Sequence, residues 1–316
     1  MNAITLNTGT QMPIIGLGTW KSPADQAGAA VEYALTKAEY KHIDCAAVYR
    51  NEPEIGQVFN KIFSSGTIKR ADIFITSKLW NVSHEPKRVR TTCEKTLHDL
   101  QLDYLDLYLM HWGIAESWPD ETKGQHADGT VDANGKLIIP KVSIRETWEA
   151  MEELVTAGLV KNIGVANFTG AMIIDLLSYA KILPAVNQIE LHPFNGQTRL
   201  VEFCQKQGVA VTAYSPLGTP AYVKGKNEQE PLVIENPIIL KIATNHNKTP
   251  AQVLLRWAIQ RGTIVIPKSV TPQRIEENIQ VFDFSLTETE MAEITSLEKR
   301  RRFVDPFGPY GVPYFE

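Results

Sequence analysis

GLGTWK, Gly16 to Lys21, is where two folds part. The stretch closes an apolar run, IIGLGT (14–19), and starts like the glycine fingerprint of a dinucleotide-binding Rossmann unit, whose third small residue lets the next helix pack on the strand. Here the sixth position is Lys21 instead of Gly or Ala. A lone GxG is weak, so the rest of the chain decides. Seven further strand-like runs follow: HIDC (42–45), IFITSKL (73–79), LDLYLMH (105–111), NIGVAN (162–167), AVNQIE (185–190), VAVTAYS (209–215) and IVIPKS (264–269). Several are nearly continuous apolar runs, the pattern of strands buried on both faces. Helical segments alternate with them at 23–37, 53–64, 86–100, 144–157, 171–180, 197–207 and 250–261, with a shorter helix near 237–245. Strict β/α alternation predicts a parallel sheet, and eight such units predict a closed (β/α)8 TIM barrel, not a Rossmann domain.

The punctuation agrees. Ser143 with Glu146, Thr249 with Gln252 and Thr287 with Glu290 have capping-box spacing, while Pro23, Pro250 and Pro272 occupy first-turn positions where a missing N–H costs little. Asn7-Thr8-Gly9 marks a hairpin placed to cap the barrel floor. Long insertions at 112–142 and 216–235, an extra helix within 285–297 and an aromatic, proline-rich tail at 299–316 follow the same reading. No repeat or linker divides it, so 1–316 is expected to be a single domain.

With 316 residues and 43% hydrophobic composition the chain can bury a large core, and a formal charge of −4 gives no general attraction to nucleic acid or anionic membrane. Cys45, Cys93 and Cys204 are odd in number and have no metal-ligand spacing. Reduced thiols, no basic-then-apolar leader and no apolar run of membrane-spanning length lead to an expected cytoplasmic protein with no metal.

Chemistry in such a barrel gathers at the C-terminal ends of the strands. There the chain supplies Asp44, then Tyr49 just beyond it, Lys78, and His111. Singly, each has a bland explanation: a helix cap, a solvent-reaching lysine, a satisfied core histidine. Together they make a working set. A phenol with its ordinary pKa near 10 is a poor acid at neutral pH, an adjacent ammonium stabilises its anion, and a buried ammonium needs a carboxylate to stay charged. Lys78 and Asp44 fill those positions, and neutral His111 is suited to orienting a substrate oxygen.

DCAAVYRNE, ITSKLW, LYLMHW, GVANF, NQIELHP, TAYSPLG and IPKSVTPQRIEEN resemble the corresponding motifs of the aldo-keto reductase family from about residue 4 onward. The resemblance implies a nicotinamide-dependent reductase of aldehydes, sugar aldehydes included, or of ketones, with Asp44, Tyr49, Lys78 and His111 as catalytic tetrad and Tyr49 as proton donor. It implies that Asn167 and Gln188 hold the nicotinamide carboxamide, that Tyr214 stacks on the ring and that Ser215 and Leu217 line the pyrophosphate channel. It places Lys268, Ser269 and Arg274 around an adenosine 2′-phosphate, with Glu277 and Asn278 near the adenine, which favours NADPH/NADP+; by position, Thr271 is expected to cap the helix begun by Pro272. Arg274 in a first helical turn opposes the helix dipole, and binding an anion would justify it. Where the family commonly has Ser this chain has Ala166, one neutral hydrogen bond fewer.

Trp20, Trp80 and Trp112 follow strand ends and read as walls of an apolar substrate pocket, with Phe303, Phe307 and Tyr310 added by the tail; Trp148 and Trp257 lie mid-helix and read as core. Val304 stands where sugar-reducing relatives tend to carry Asn. The expected partner is a small carbonyl compound, met by a monomer or weak homodimer. Two alternatives remain at this point: a non-catalytic relative of the same fold, and a barrel hydrolase that pairs Asp44 with Glu190.

Overall fold

The computed structural model describes residues 2–118, 138–220, 223, 231–307 and 311–316. Strands β1 (Ala3–Thr5) and β2 (Gln11–Pro13) form an antiparallel hairpin that turns through Gly9 at φ +85°. Leu6 and Met12 from this hairpin pack on Phe74, Leu107, Leu109, Val186 and Ile264, so its apolar face plugs one end of the main sheet. Thr8 Oγ1 donates to Asn162 Oδ1 (2.5 Å) and Asn7 Nδ2 to the Pro184 carbonyl (3.0 Å), fixing the plug at the N-terminal end of the strands.

The main sheet runs β3 (Leu17–Gly18), β4 (His42–Asp44), β5 (Phe74–Leu79), β6 (Leu107–Met110), β7 (Ile163–Ala166), β8 (Val186–Glu190), β9 (Ala210–Tyr214) and β10 (Ile264–Val265), each parallel to its neighbour in chain order. Parallel bridges Ile15 to Val265 and Gly18 to Lys268 join the two ends. Gly16 N–H donates to the Val265 carbonyl (2.9 Å) and Gly18 N–H to that of Pro267 (3.0 Å), so the barrel closes. The first and last strands are shorter than the runs 14–19 and 264–269 suggested. Pro267 has no N–H to give, so the ladder breaks there and resumes only through its carbonyl.

Around the barrel lie α1 (Ala24–Thr36), α2 (Glu52–Ser64), α3 (Pro86–Leu100), α4 (Ile144–Thr156), α5 (Gly170–Leu177), α6 (Thr198–Lys206), α7 (Pro237–His246), α8 (Pro250–Gln260), α9 (Pro272–Ile279) and α10 (Glu288–Thr295). Ser143, Thr249 and Thr287 make complete capping boxes at α4, α8 and α10. Thr271 is different: it precedes α9 but its side chain makes no cap. Its own N–H donates to Ser269 Oγ (3.1 Å), two residues back in a tight turn. Trp148 and Trp257 are buried core residues, and all three cysteines are buried and free. Gly56 lets α2 meet α3 closely: a Cβ there would lie 2.1 Å from the Asp99 carbonyl oxygen.

Candidate active site

The strand register brings the expected residues together. β4 ends at Asp44 and β5 carries Lys78 alongside it, both side chains out of solvent at 2% and 0% exposure. Lys78 Nζ donates to Asp44 Oδ1 (2.5 Å), to the Cys45 carbonyl (2.8 Å) and to Tyr49 OH (3.3 Å). Two buried charges this close are tolerable only because the remaining polar atoms are also satisfied. Gln188 Nε2 does so for the carboxylate, donating to Asp44 Oδ2 (2.8 Å) from β8, across the barrel.

Tyr49 sits at the end of a single 3-10 turn, Ala47–Tyr49, which Arg50 terminates at φ +56°. Its ring meets His111 edge-on at 5.9 Å, and His111 meets Trp80 edge-on at 5.1 Å. His111 follows β6, and burial, reinforced by the Lys78 charge, holds its imidazole well below the usual value. It is therefore neutral at physiological pH. The phenol departs from expectation. Burial, with the nearby acidic groups of Asp44, Cys45 and Glu52 adding to it, pushes Tyr49 well above the usual phenol range. The group is thus kept fully protonated, and what Lys78 supplies is a donor already aimed at the oxygen when charge develops on it.

Asn167 leaves β7 at φ +64°, a conformation its short side chain tolerates. Its Nδ2 donates to the His111 carbonyl (2.9 Å) and its Oδ1 accepts from Tyr214 OH (2.8 Å). Asn167, Gln188 and Tyr214 thus stand beside the Asp44, Lys78, Tyr49 and His111 group, each already held by the protein. Asn167 and Gln188 keep one amide hydrogen and spare acceptor capacity to offer a ligand. Ala166 is buried against Leu107, Leu109 and Val186 and brings no hydroxyl. Ser215, at φ +51°, turns the chain after β9, and its carbonyl accepts the Gly218 N–H (2.8 Å); Leu217 packs on the core.

At the seam of the barrel Lys268 and Arg274 are exposed, Ser269 and Asn278 are buried, and Glu277 accepts from Gln273 Nε2 (2.7 Å). Partial desolvation lowers Lys268 from the usual ammonium range. Among the described residues neither cation has a carboxylate at ion-pair distance. With Thr271 leaving the first turn of α9 uncapped by its side chain, this corner presents two cations and free N–H groups, a donor set that fits a phosphate.

The tryptophans and the tail aromatics fall in several places. Trp112 is buried with Ile114, and Trp80 joins them. Trp20 lies under the Lys21 ammonium, 4.8 Å from the ring centroid. Phe303 stacks on His192 at 5.0 Å. Phe307 is instead 55% exposed, and Tyr310 lies outside the described residues, as do 119–137 of the first insertion and most of 221–230 in the second. The tail contributes Val304, which the sequence had marked, and Val312, Tyr314 and Phe315, which it had not, to the cluster around Trp112. Glu190 does not serve as a partner for Asp44: its carboxylate accepts from His192 Nε2 and from the Phe303 and Val304 N–H groups, which removes the paired-acid hydrolase.

A closed barrel with these residues at the C-terminal ends of its strands has a match in sequence. The profile of the Aldo/keto reductase family fits residues 14–299, and the chain belongs to that family, a class of NADP-dependent oxidoreductases. Among its relatives are Aldo-keto reductase family 1 member A1 of Gallus gallus, 49% identical over 304 residues (96% of this chain, 90% of that protein), and that of Homo sapiens, 46% identical over 306 residues (96% and 92%). The solved aldose reductase of Schistosoma japonicum superposes with a TM-score of 0.89 at 44% identity, covering 100% of this chain and 98% of that one.

Proposed function

We propose that the chain reduces aldehydes, sugar aldehydes among them, or ketones to alcohols, with NADPH as reductant and Tyr49 as proton donor. The observation that carries this reading is the Lys78 ammonium, buried at the barrel mouth and hydrogen-bonded at once to Asp44 and to the Tyr49 hydroxyl. When bound, NADPH supplies the hydride. The protein's own residues do the rest. Tyr49 gives its proton to the carbonyl oxygen, and in the oxidative direction its anion takes one back. Lys78 stabilises the developing phenolate, and Asp44, with Gln188 on its other oxygen, keeps that ammonium charged. His111 is neutral and in edge contact with Tyr49, so it orients the substrate oxygen by hydrogen bonding without adding charge.

Asn167, Gln188 and Tyr214 would hold the nicotinamide end, Ser215 and Leu217 the pyrophosphate, and Lys268, Ser269 and Arg274 the 2′-phosphate, with Glu277 and Asn278 near the adenine. The two cations without carboxylate partners support the preference for NADPH. Trp20, Trp80, Trp112 and Phe303 would wall the substrate. The reading takes 1–316 as one domain, active in the cytoplasm as a monomer or weak homodimer.

The test is Tyr49→Phe. That change removes one hydroxyl held by one hydrogen bond and leaves Lys78 its bonds to Asp44 and Cys45, so folding and NADPH binding should survive. Turnover of aldehydes, followed by NADPH oxidation, should drop about 10²-fold or more. Reduction at the original rate would remove Tyr49 from its role. A panel of neutral aldoses, their phosphates and aromatic aldehydes then ranks substrates.

A further inference from the structure

We infer that Glu190, a residue outside the reacting group, sets which carbonyl compounds the pocket accepts, by pinning tail residues Phe303 and Val304 as part of its wall; the inference rests on the reductase reading above. Glu190 ends β8 two residues beyond Gln188, with 0% side-chain exposure. Its Oε1 accepts from His192 Nε2 (2.8 Å) and the Phe303 N–H (2.8 Å), and its Oε2 from the Val304 N–H (3.0 Å). Three donors on one buried carboxylate form a strong, geometrically defined clamp. The clamp reaches 114 residues along the chain, from the end of an inner strand to the tail.

The surrounding contacts extend it. The Glu190 carbonyl accepts from Asn195 Nδ2 (3.1 Å) and Gln197 Nε2 (2.7 Å), and Gln197 Oε1 accepts from Arg302 Nη2 (2.7 Å). Arg302 lies over the Phe315 ring at 3.6 Å. Three consecutive tail residues, 302–304, are thereby fastened to the loop after β8. The side chains they carry point to both sides of the mouth. Phe303 stacks on His192 and approaches Gly218, in the loop after β9, while Val304 packs in the cluster of Trp80, Trp112 and Tyr314. A shift of this backbone would widen or tilt the wall without moving Asp44, Lys78 or Tyr49, none of which Glu190 touches.

Glu190→Gln keeps the shape and removes one acceptor. The amide NH2 placed toward Val304 meets a donor with a donor; placed the other way it meets two, His192 and Phe303. The milder orientation therefore releases Val304, the residue that packs against the tryptophans. Steady-state kinetics on the full chain should show KM for a bulky aromatic aldehyde rising about tenfold with kcat within about twofold, while propanal kinetics and NADPH affinity stay within about twofold. In the wild-type chain the Phe303 and Val304 amides should exchange hydrogen slowly, and Val304 should lose protection by about tenfold or more in the variant. A uniform loss across small and large aldehydes, or unchanged discrimination between them, would overturn the inference. So would wild-type Phe303 and Val304 amides that exchange as freely as exposed tail amides, a result that does not depend on the variant folding. A wild-type chain that reduces no aldehyde would bring down the reductase reading itself, and the specificity role with it; failure of Glu190 alone shows up with turnover intact.

Discussion

Breaking the Asp44 and Lys78 pair one partner at a time, then together, should separate the cost of an orphaned charge from the worth of the pair. At 2.5 Å and an effective dielectric near 20 the gross Coulomb attraction is about 7 kcal/mol, most of it cancelled by taking both ions out of water. The cancellation is lost when one partner goes. Lys78→Met leaves Asp44 Oδ1 bare in the barrel, with only Gln188 still on Oδ2, and Asp44→Asn leaves the ammonium with neutral oxygens alone, the new amide's own, Cys45 O and Tyr49 OH, and no countercharge. Each single change should cost about 3–5 kcal/mol in a urea melt, and the double variant should cost less than their sum by about 2 kcal/mol or more, since neither charge is then stranded. Turnover should fall about 10²-fold or more in all three, because every one of them withdraws the positive charge or its anchor from the phenol. Two single losses below about 1 kcal/mol that simply add would show that the pair is not formed as described, and the account of Tyr49 would fall with it.

Replacing both Lys268 and Arg274 by Gln should weaken NADPH about 10²- to 10⁴-fold and NADH less than about threefold, measured by cofactor fluorescence; equal losses would dispose of the 2′-phosphate assignment. Gly56→Ala puts a Cβ 2.1 Å from the Asp99 carbonyl oxygen, a backbone atom that cannot rotate away, so α2 must shift and stability should drop by about 1–3 kcal/mol in a denaturant titration; no loss would mean that α2 and α3 sit farther apart. Stability should also fall in acid. Burial holds His42 and His84 to about 4, and His111 well below its usual value, whereas in the unfolded chain each protonates near 6.5, so between those limits the unfolded state takes up protons that the native state refuses. Glu52 works the other way: burial raises it to about 7, so the native state keeps its proton and gains relative stability as pH falls from about 7 to its unfolded value of 4.5. Three histidines outweigh one carboxyl, giving a loss of about 2 kcal/mol per pH unit between about pH 6 and 5, and urea midpoints that stay level across that range would contradict the buried neutral imidazoles.

What could be read from the sequence and what could not divide along physical lines. The barrel was legible because burial on both faces leaves continuous apolar runs at each strand, and because Lys21 denies the helix-packing glycine that a Rossmann turn needs. The group of Asp44, Lys78 and His111 was legible because parallel strands bring their ends to one mouth, so position within a run already fixes where a side chain goes. Hydrogen bonds to backbone leave a mark only where a local spacing carries it. Ser143, Thr249 and Thr287 cap as their spacing indicates, whereas Thr271, followed three residues later by Arg274 and not by Glu or Gln, makes no side-chain cap, and its own N–H donates to Ser269 Oγ, a contact that residue type does not announce. The same reasoning explains Glu190. Its acceptors serve N–H groups that every residue but proline possesses, so neither Phe303 nor Val304 announces the contact, and a strand-end acid was open to being taken for a second catalytic carboxylate. Gln188 divides the two cases: its place at the end of β8 was evident, but the bond from its amide to Asp44 joins opposite sides of a barrel whose closure only the folded structure supplies. A residue's location follows from the period of its strand, whereas its partner follows from closure, and at this site the partners, not the locations, determine which carboxylate holds the lysine and which holds the tail.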